Sequence, residues 1–137
     1  MHYWLVKSEP FKYSWEQFTK DKRAVWDGVR NYAARNNLRS MEKGDWVFFY
    51  HSNEGLEIVG IAEVVKPHYQ DPTSDNPAWL AVDLKPKKPL QKTVTLSEIK
   101  NNKKLAEMQL LKIARLSVSA VSEAEFEIIL QMANTKI

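Results

Sequence analysis

The spacing of apolar and polar positions changes several times along the chain, and each change predicts an element. His2 to Lys7 combines aromatic and β-branched residues and reads as a strand, ended by Ser8-Glu9-Pro10 because proline has no N–H to give a ladder. From Tyr13 the pattern turns helical. Ser14 and Gln17 fit an S-x-x-Q capping box, with Tyr13 and Phe18 as its hydrophobic staple, predicting a helix over residues 15–20. Asn31 is placed to cap a second helix running to about Ser40, with Ala33, Ala34 and Leu38 as a small apolar face.

Lys43-Gly44-Asp45 is turn chemistry, and the unbroken apolar run Trp46 to His51 behind it predicts a central strand buried on both faces. Glu57 to Lys66 is a second β-branched run that pairs with the first as an antiparallel hairpin through Ser52 to Leu56. Gly60 inside it marks a bulge or a close approach of backbone. His68 to Pro77 carries Asp71-Pro72 and Asn76-Pro77 and reads as a surface loop, followed by a strand from Trp79 to Lys85. Leu110 to Val121 reads as one or two strands. Thr95 with Glu98 and Ser122 with Glu125 each open a helix through a T/S-x-x-E box, and Phe126, Ile129, Leu130 and Ala133 make the second amphipathic. Five or six strands with short helices between them predict an α+β fold, a small, partly closed mixed β-barrel decorated with helices. A doubly wound parallel sheet would need longer helices and a glycine-rich turn.

Composition narrows the function more than the fold. With 137 residues, 44% hydrophobic and 27% charged, residues 1–137 are read as one domain with a real core. The net charge of +3 permits nucleic-acid contact without demanding it. The basic cluster Lys85, Lys87, Lys88 and Lys92, interrupted by Pro86 and Pro89, reads as a solvated surface loop, with a phosphate track as the other reading. No cysteine is present, which excludes disulfides and thiolate chemistry, and no apolar run is long enough to span a bilayer. The reading is of a cytoplasmic protein that makes no membrane contact. His2, His51 and His68 stand too far apart for a metal motif, and no phosphate loop or nucleophile elbow occurs, so no metal or other cofactor is expected.

Three places carry candidate chemistry. The richest is Val25 to Asn37, where Trp26, Asp27, Gly28, Val29, Arg30 and Asn31 combine a flat ring with planar hydrogen-bonding groups. Stacking plus edge recognition reads a single base; the other reading is a core tryptophan, a surface ion pair and a helix cap. Lys7 and Glu9, two apart in an extended segment, project to one side and fit either an acid/base pair or a surface ion pair. His51, at the end of the buried strand, fits a ligand contact or a satisfied strand-end histidine. Five tryptophans, Trp4, Trp15, Trp26, Trp46 and Trp79, exceed what space-filling asks of a domain this size, so some are expected to line a pocket.

Together, Tyr3-Trp-Leu-Val-Lys-Ser-Glu-Pro10, Trp26-Asp-Gly-Val-Arg-Asn31, Ala34-Arg-Asn-Asn-Leu-Arg39, Gly44-Asp45 before Phe48-Phe-Tyr-His-Ser52, and Arg115-Leu-Ser-Val118 resemble the EVE domain family from about residue 2 to 132. The resemblance implies a PUA-like fold related to the YTH domain, and a module that reads a modified base, notably a methylated or oxidised cytosine, in DNA or RNA without catalysis. Carried onto this chain, it places Lys7 and Ser8 near the Watson–Crick edge of a flipped base and Trp26 as a wall of an aromatic cage. Asp27, Gly28, Val29, Arg30 and Asn31 would close the pocket, with His51, Ser52 and Trp79 near its opening. Related ASCH-type barrels include hydrolases of acylated cytidine, which would make Lys7 and Glu9 a catalytic pair. A protein-interaction domain with a vestigial pocket is a third reading.

Overall fold

The computed structural model describes residues 1–137. Its elements are β1 (Tyr3–Ser8), α1 (Trp15–Asp21), β2 (Ala24–Trp26), α2 (Tyr32–Ser40), β3 (Trp46–His51), β4 (Glu57–Gln70), β5 (Leu80–Thr95), α3 (Leu96–Lys100), α4 (Gln109–Lys112), β6 (Val118–Val121) and α5 (Glu123–Met132), with one 3-10 turn at Lys103–Leu105. The strands form one mixed sheet in the order β2-β5-β4-β3-β1-β6. All neighbours run antiparallel except β1 and β3, which are parallel. The fold is thus α+β with six strands, as the pattern predicted. The barrel is incomplete, because β2 and β6 are edges that no ladder joins; α2 packs against β4, β5 and β6 instead.

Strand alternation explains the two cores. On β1 and β3, Trp4, Val6, Val47 and Phe49 enter one cluster with Phe18 of α1 and Leu38 of α2. Leu5, Phe48 and Tyr50 point the opposite way, onto Phe126 and Ile129 of α5. Helices cover both faces of the sheet centre, which is why these strands read as continuous apolar runs.

Both T/S-x-x-E boxes form reciprocally, at Thr95 and at Ser122. The box at Ser14 is half made: Ser14 Oγ accepts from the Gln17 amide, while Gln17 Nε2 turns outward to Asp21 at 2.9 Å. Asn31 caps α2 through the Ala34 amide at 3.0 Å; Leu38 and Ala34 are buried, but Ala33 is exposed.

Three expectations need correction. The strand Glu57 to Lys66 runs on to Gln70, and β5 runs from Leu80 to Thr95, so the basic cluster lies on strand rather than loop. Prolines 86 and 89 are tolerated because the β4–β5 ladder shifts register around Gly60 and Ala62, where no regular N–H donor is needed. Lys87 pairs with Glu63, Lys92 with Glu98, and Lys88 Nζ donates to the Lys136 carbonyl, so the cluster is largely spent on the protein itself. Leu110 to Val121 holds α4 and one strand; its first apolar residues are helical, an ambiguity that short runs always carry.

Candidate functional site

The end of β1, the segment after α1 and the loop between β2 and α2 enclose an open cleft of about 930 Å³. Lys7, Ser8, Trp26, Asp27, Gly28, Val29, Arg30 and Asn31 all line it. β1 supplies the first two because Pro10 ends the strand there, and β2, three residues paired to β5, delivers Trp26 at its tip.

Trp26 is half-buried. Its ring packs edge-on against Phe49 at 5.6 Å, Tyr13 at 6.3 Å and Phe18 at 6.5 Å, which fixes its plane. Its indole N–H has no partner in the protein and is not buried. Beyond it, Gly28 takes φ +76°, a left-handed turn that admits glycine easily, and gives its N–H to Asp71 Oδ2 at 2.8 Å. The next three backbone N–H groups, of Val29, Arg30 and Asn31, make no hydrogen bond within the protein. Asn31 spends its side-chain oxygen on the helix cap, leaving its amide N–H donors free.

Arg30 is committed. Its Nη1 donates to Asp71 Oδ2 at 2.8 Å and to the Val29 carbonyl at 3.1 Å, and its Nη2 to Thr73 Oγ1 at 3.1 Å. Asp71 is fully buried. Burial opposes its charge, yet hydrogen bonds from Arg30, Thr73 and Gly28 outweigh that and hold the carboxyl well below the usual range. Sequence reading left Asp71 inside a generic loop; Asp-Pro-Thr, with a carboxylate able to bond the amide two residues on, was the available signal. Arg23, Tyr13 and Ser117 also line the cleft unforeseen. Arg23 is fixed by two bonds to Asp83 Oδ2, at 2.7 and 3.1 Å, and Tyr69 donates to the other carboxylate oxygen; burial and that bond push the Tyr69 hydroxyl up to about 12.

On the β1 side, Lys7 Nζ donates to the Ala114 carbonyl at 2.7 Å, and burial lowers its pKa. Ser8 Oγ donates to the Tyr13 carbonyl at 2.6 Å. Glu9 bonds Asn53 Nδ2 at 2.6 Å and pairs with Lys12 at 3.4 Å. Lys7 and Glu9 both line the cleft, but their charged ends go to different partners.

The remaining three candidates lie outside the cleft lining. His51 Nε2 accepts the Trp15 N–H at 3.1 Å, serving the first turn of α1. Ser52 gives its N–H to the Ser8 carbonyl at 2.9 Å. Trp79 packs against Tyr32 at 4.9 Å, the rings tilted by 30°, with the Arg30 guanidinium 5.6 Å over the indole. Of the five tryptophans, Trp26 alone lines this cleft: Trp4 bonds Asp45, Trp15 covers Gly60, and Trp46 lines a separate hollow beside α5.

His51 gives a pH prediction. Burial lowers its pKa against a smaller opposing pull from Glu57, and only the neutral ring can accept the Trp15 N–H. The unfolded chain therefore binds a proton more readily, so this stability is present above pH about 6.5 and is lost as pH falls below it. A loss of about 1 kcal/mol is expected, read as a drop in thermal midpoint toward pH 5 that His51→Gln flattens.

The sequence pattern of the EVE domain matches residues 2–132. Thymocyte nuclear protein 1 of Mus musculus is 36% identical, over 98% of this chain and 75% of that protein. The crystal structure of protein Atu2648 from Agrobacterium tumefaciens superimposes with a TM-score of 0.96 at 44% identity, covering 98% of this chain and 94% of the other. Human THYN1 in complex with 5-methylcytosine-containing DNA superimposes at 0.91 with 32% identity over the whole of both chains. At the level of fold alone, a YTH domain of Zygosaccharomyces rouxii bound to N6-methyladenosine RNA is similar, at 0.63 and 12% identity. No helix is long and apolar enough to cross a membrane.

Proposed function

This chain belongs to the EVE domain family, and on that premise we propose that residues 1–137 act as one cytoplasmic module that captures a modified base of DNA or RNA without chemistry. The observation that carries the reading is a ring of fixed plane, Trp26, beside three successive unspent backbone donors at Val29, Arg30 and Asn31. A base turned out of its strand loses a few kcal/mol of stacking and pairing, and a ring returns about 1–3 kcal/mol. The free groups are mostly donors, which suits the O2 and N3 acceptors of a cytosine. Likeness to a human protein whose structure holds 5-methylcytosine-containing DNA supports the same base class.

The divergent partners of Lys7 and Glu9 favour binding over acid/base chemistry. Incubation with acetylated cytidine should release no acetate; turnover that disappears in Lys7→Ala would favour a hydrolase instead.

Trp26→Leu keeps apolar bulk against Phe49 and removes the stacking plane. Fluorescence titration with a 5-methylcytosine oligonucleotide should show affinity falling by about 5- to 150-fold. Equal affinity of wild type and variant would sink the base-capture reading.

A further inference from the structure

Phe11 is 91% exposed, the most exposed large apolar side chain in the molecule. Water penalises such a ring, and the fold offers no intramolecular reason for it: it lies in neither core, and its nearest chain neighbours serve the backbone turn. Its position is specific. Glu9 and Lys12 both line the cleft, so Pro10 and Phe11 between them form a projecting lip at its rim.

The lip is also held. Lys12 and Tyr13 both give their N–H groups to the Glu9 carbonyl, at 2.9 and 2.8 Å, closing the turn. The Glu9 carboxylate is tied to Asn53 on the β3–β4 connection and to Lys12. Pro10 restricts the backbone at the start of the turn. A fixed turn presenting one bare aromatic beside an open cleft with ample room for a base suits insertion into a stack of bases. Taking a base from a duplex leaves a gap between its neighbours, and an apolar wedge refills such a gap and offsets lost stacking.

Resting on the base-capture reading, we propose that Phe11 is the wedge that enters a duplex where the captured base has left, and hence that the preferred partner is double-stranded rather than single-stranded nucleic acid. Lys12, exposed beside it, is placed to meet a flanking phosphate. The wedge has work to do only where a base is paired and stacked. A single strand has no gap to refill.

The test compares one strand carrying a central 5-methylcytosine, alone and annealed to its complement, with 2-aminopurine beside the modified base. Phe11→Ala alters an exposed side chain, so thermal midpoints should match wild type. On the duplex, affinity should fall tenfold or more and the 2-aminopurine signal change seen with wild type should be lost; on the single strand, affinity should stay within twofold. Phe11→Leu should restore part of the duplex affinity. Equal losses on both substrates, or none on the duplex, would overturn the wedge while Trp26-dependent binding of the single strand survives. Wild type that binds neither substrate would overturn base capture, and the wedge with it.

Discussion

Replacing Asp71 by alanine should lower stability by about 3 kcal/mol and, at the same time, unmake the far wall of the cleft. Its side chain is completely buried and accepts four hydrogen bonds: from Gly28 N and Arg30 Nη1 on one oxygen, from Thr73 N and Oγ1 on the other, all between 2.6 and 2.8 Å. Removing the carboxylate strands all four donors, and breaking a buried pair this way costs about 3–5 kcal/mol. The lower end applies because the Arg30 side chain is 39% exposed and water can take over part of its charge. A fall in thermal midpoint of roughly 10 °C is expected. Because the Asp71 pKa is depressed, its contribution is present above the ordinary carboxylate range and is lost only as pH drops below about 4. Melting at pH 7 that leaves Asp71→Ala within 1 °C of wild type would refute this role. Asp71→Asn retains the shape but turns an N–H₂ toward donors, so it should recover little.

Gly60→Ala should also destabilise, against the direction that strand propensity gives. Glycine within a strand costs about 0.5–1 kcal/mol relative to alanine, and Gly60 is not in the left-handed region, so backbone considerations alone favour the substitution. The opposing fact is the Trp15 ring: a Cβ on Gly60 would lie 2.5 Å from it. That ring is not free to move, being wedged edge-on against Phe18 at 5.6 Å and Phe49 at 5.4 Å, with its own backbone N–H held by His51. Overpacking of this kind costs about 1–3 kcal/mol. Chemical denaturation gives the sign, and a stabilised variant would refute the packing argument. In a double-mutant cycle, Trp15→Leu should make Gly60→Ala nearly harmless.

These two residues mark where sequence reading stopped. Gly60 was recognisable as an irregularity in a β-branched run, and the ladder does shift register there; that a tryptophan 45 residues earlier fills the space above it is a tertiary fact with no local trace. Asp71 sat among turn residues, and its link to Gly28 and Arg30 spans more than forty positions. Caps and periodicity were legible because they act within a few residues: Asn31, Thr95 and Ser122 open helices as their spacing indicates. Prolines 86 and 89 misled because proline usually ends strands, and the long bent hairpin of β4 and β5 absorbs them at its register shifts. The cleft gathers Lys7, Ser8 and the Trp26 to Asn31 segment, whereas His51, Ser52 and Trp79, chosen for lying at strand ends, support neighbouring elements. Lying at the same end of a sheet does not decide which way a side chain turns.

The pairing of β1 with β3, which is parallel, and with β6 on its other side, which is antiparallel, has a kinetic consequence. Neither partner can be reached by a hairpin: Tyr3 meets Trp46 on one side and Val121 on the other, so the first strand waits for the last one to exist before both its edges are paired. Closing loops of that length is slow, and folding should be correspondingly late relative to synthesis. Because Lys7 and Ser8 at the end of β1 and Ser117 just before β6 share the cleft, a ribosome-bound chain released short of β6 has no finished site to offer. The cleft is a property of the chain from β1 through β6, and of no shorter piece.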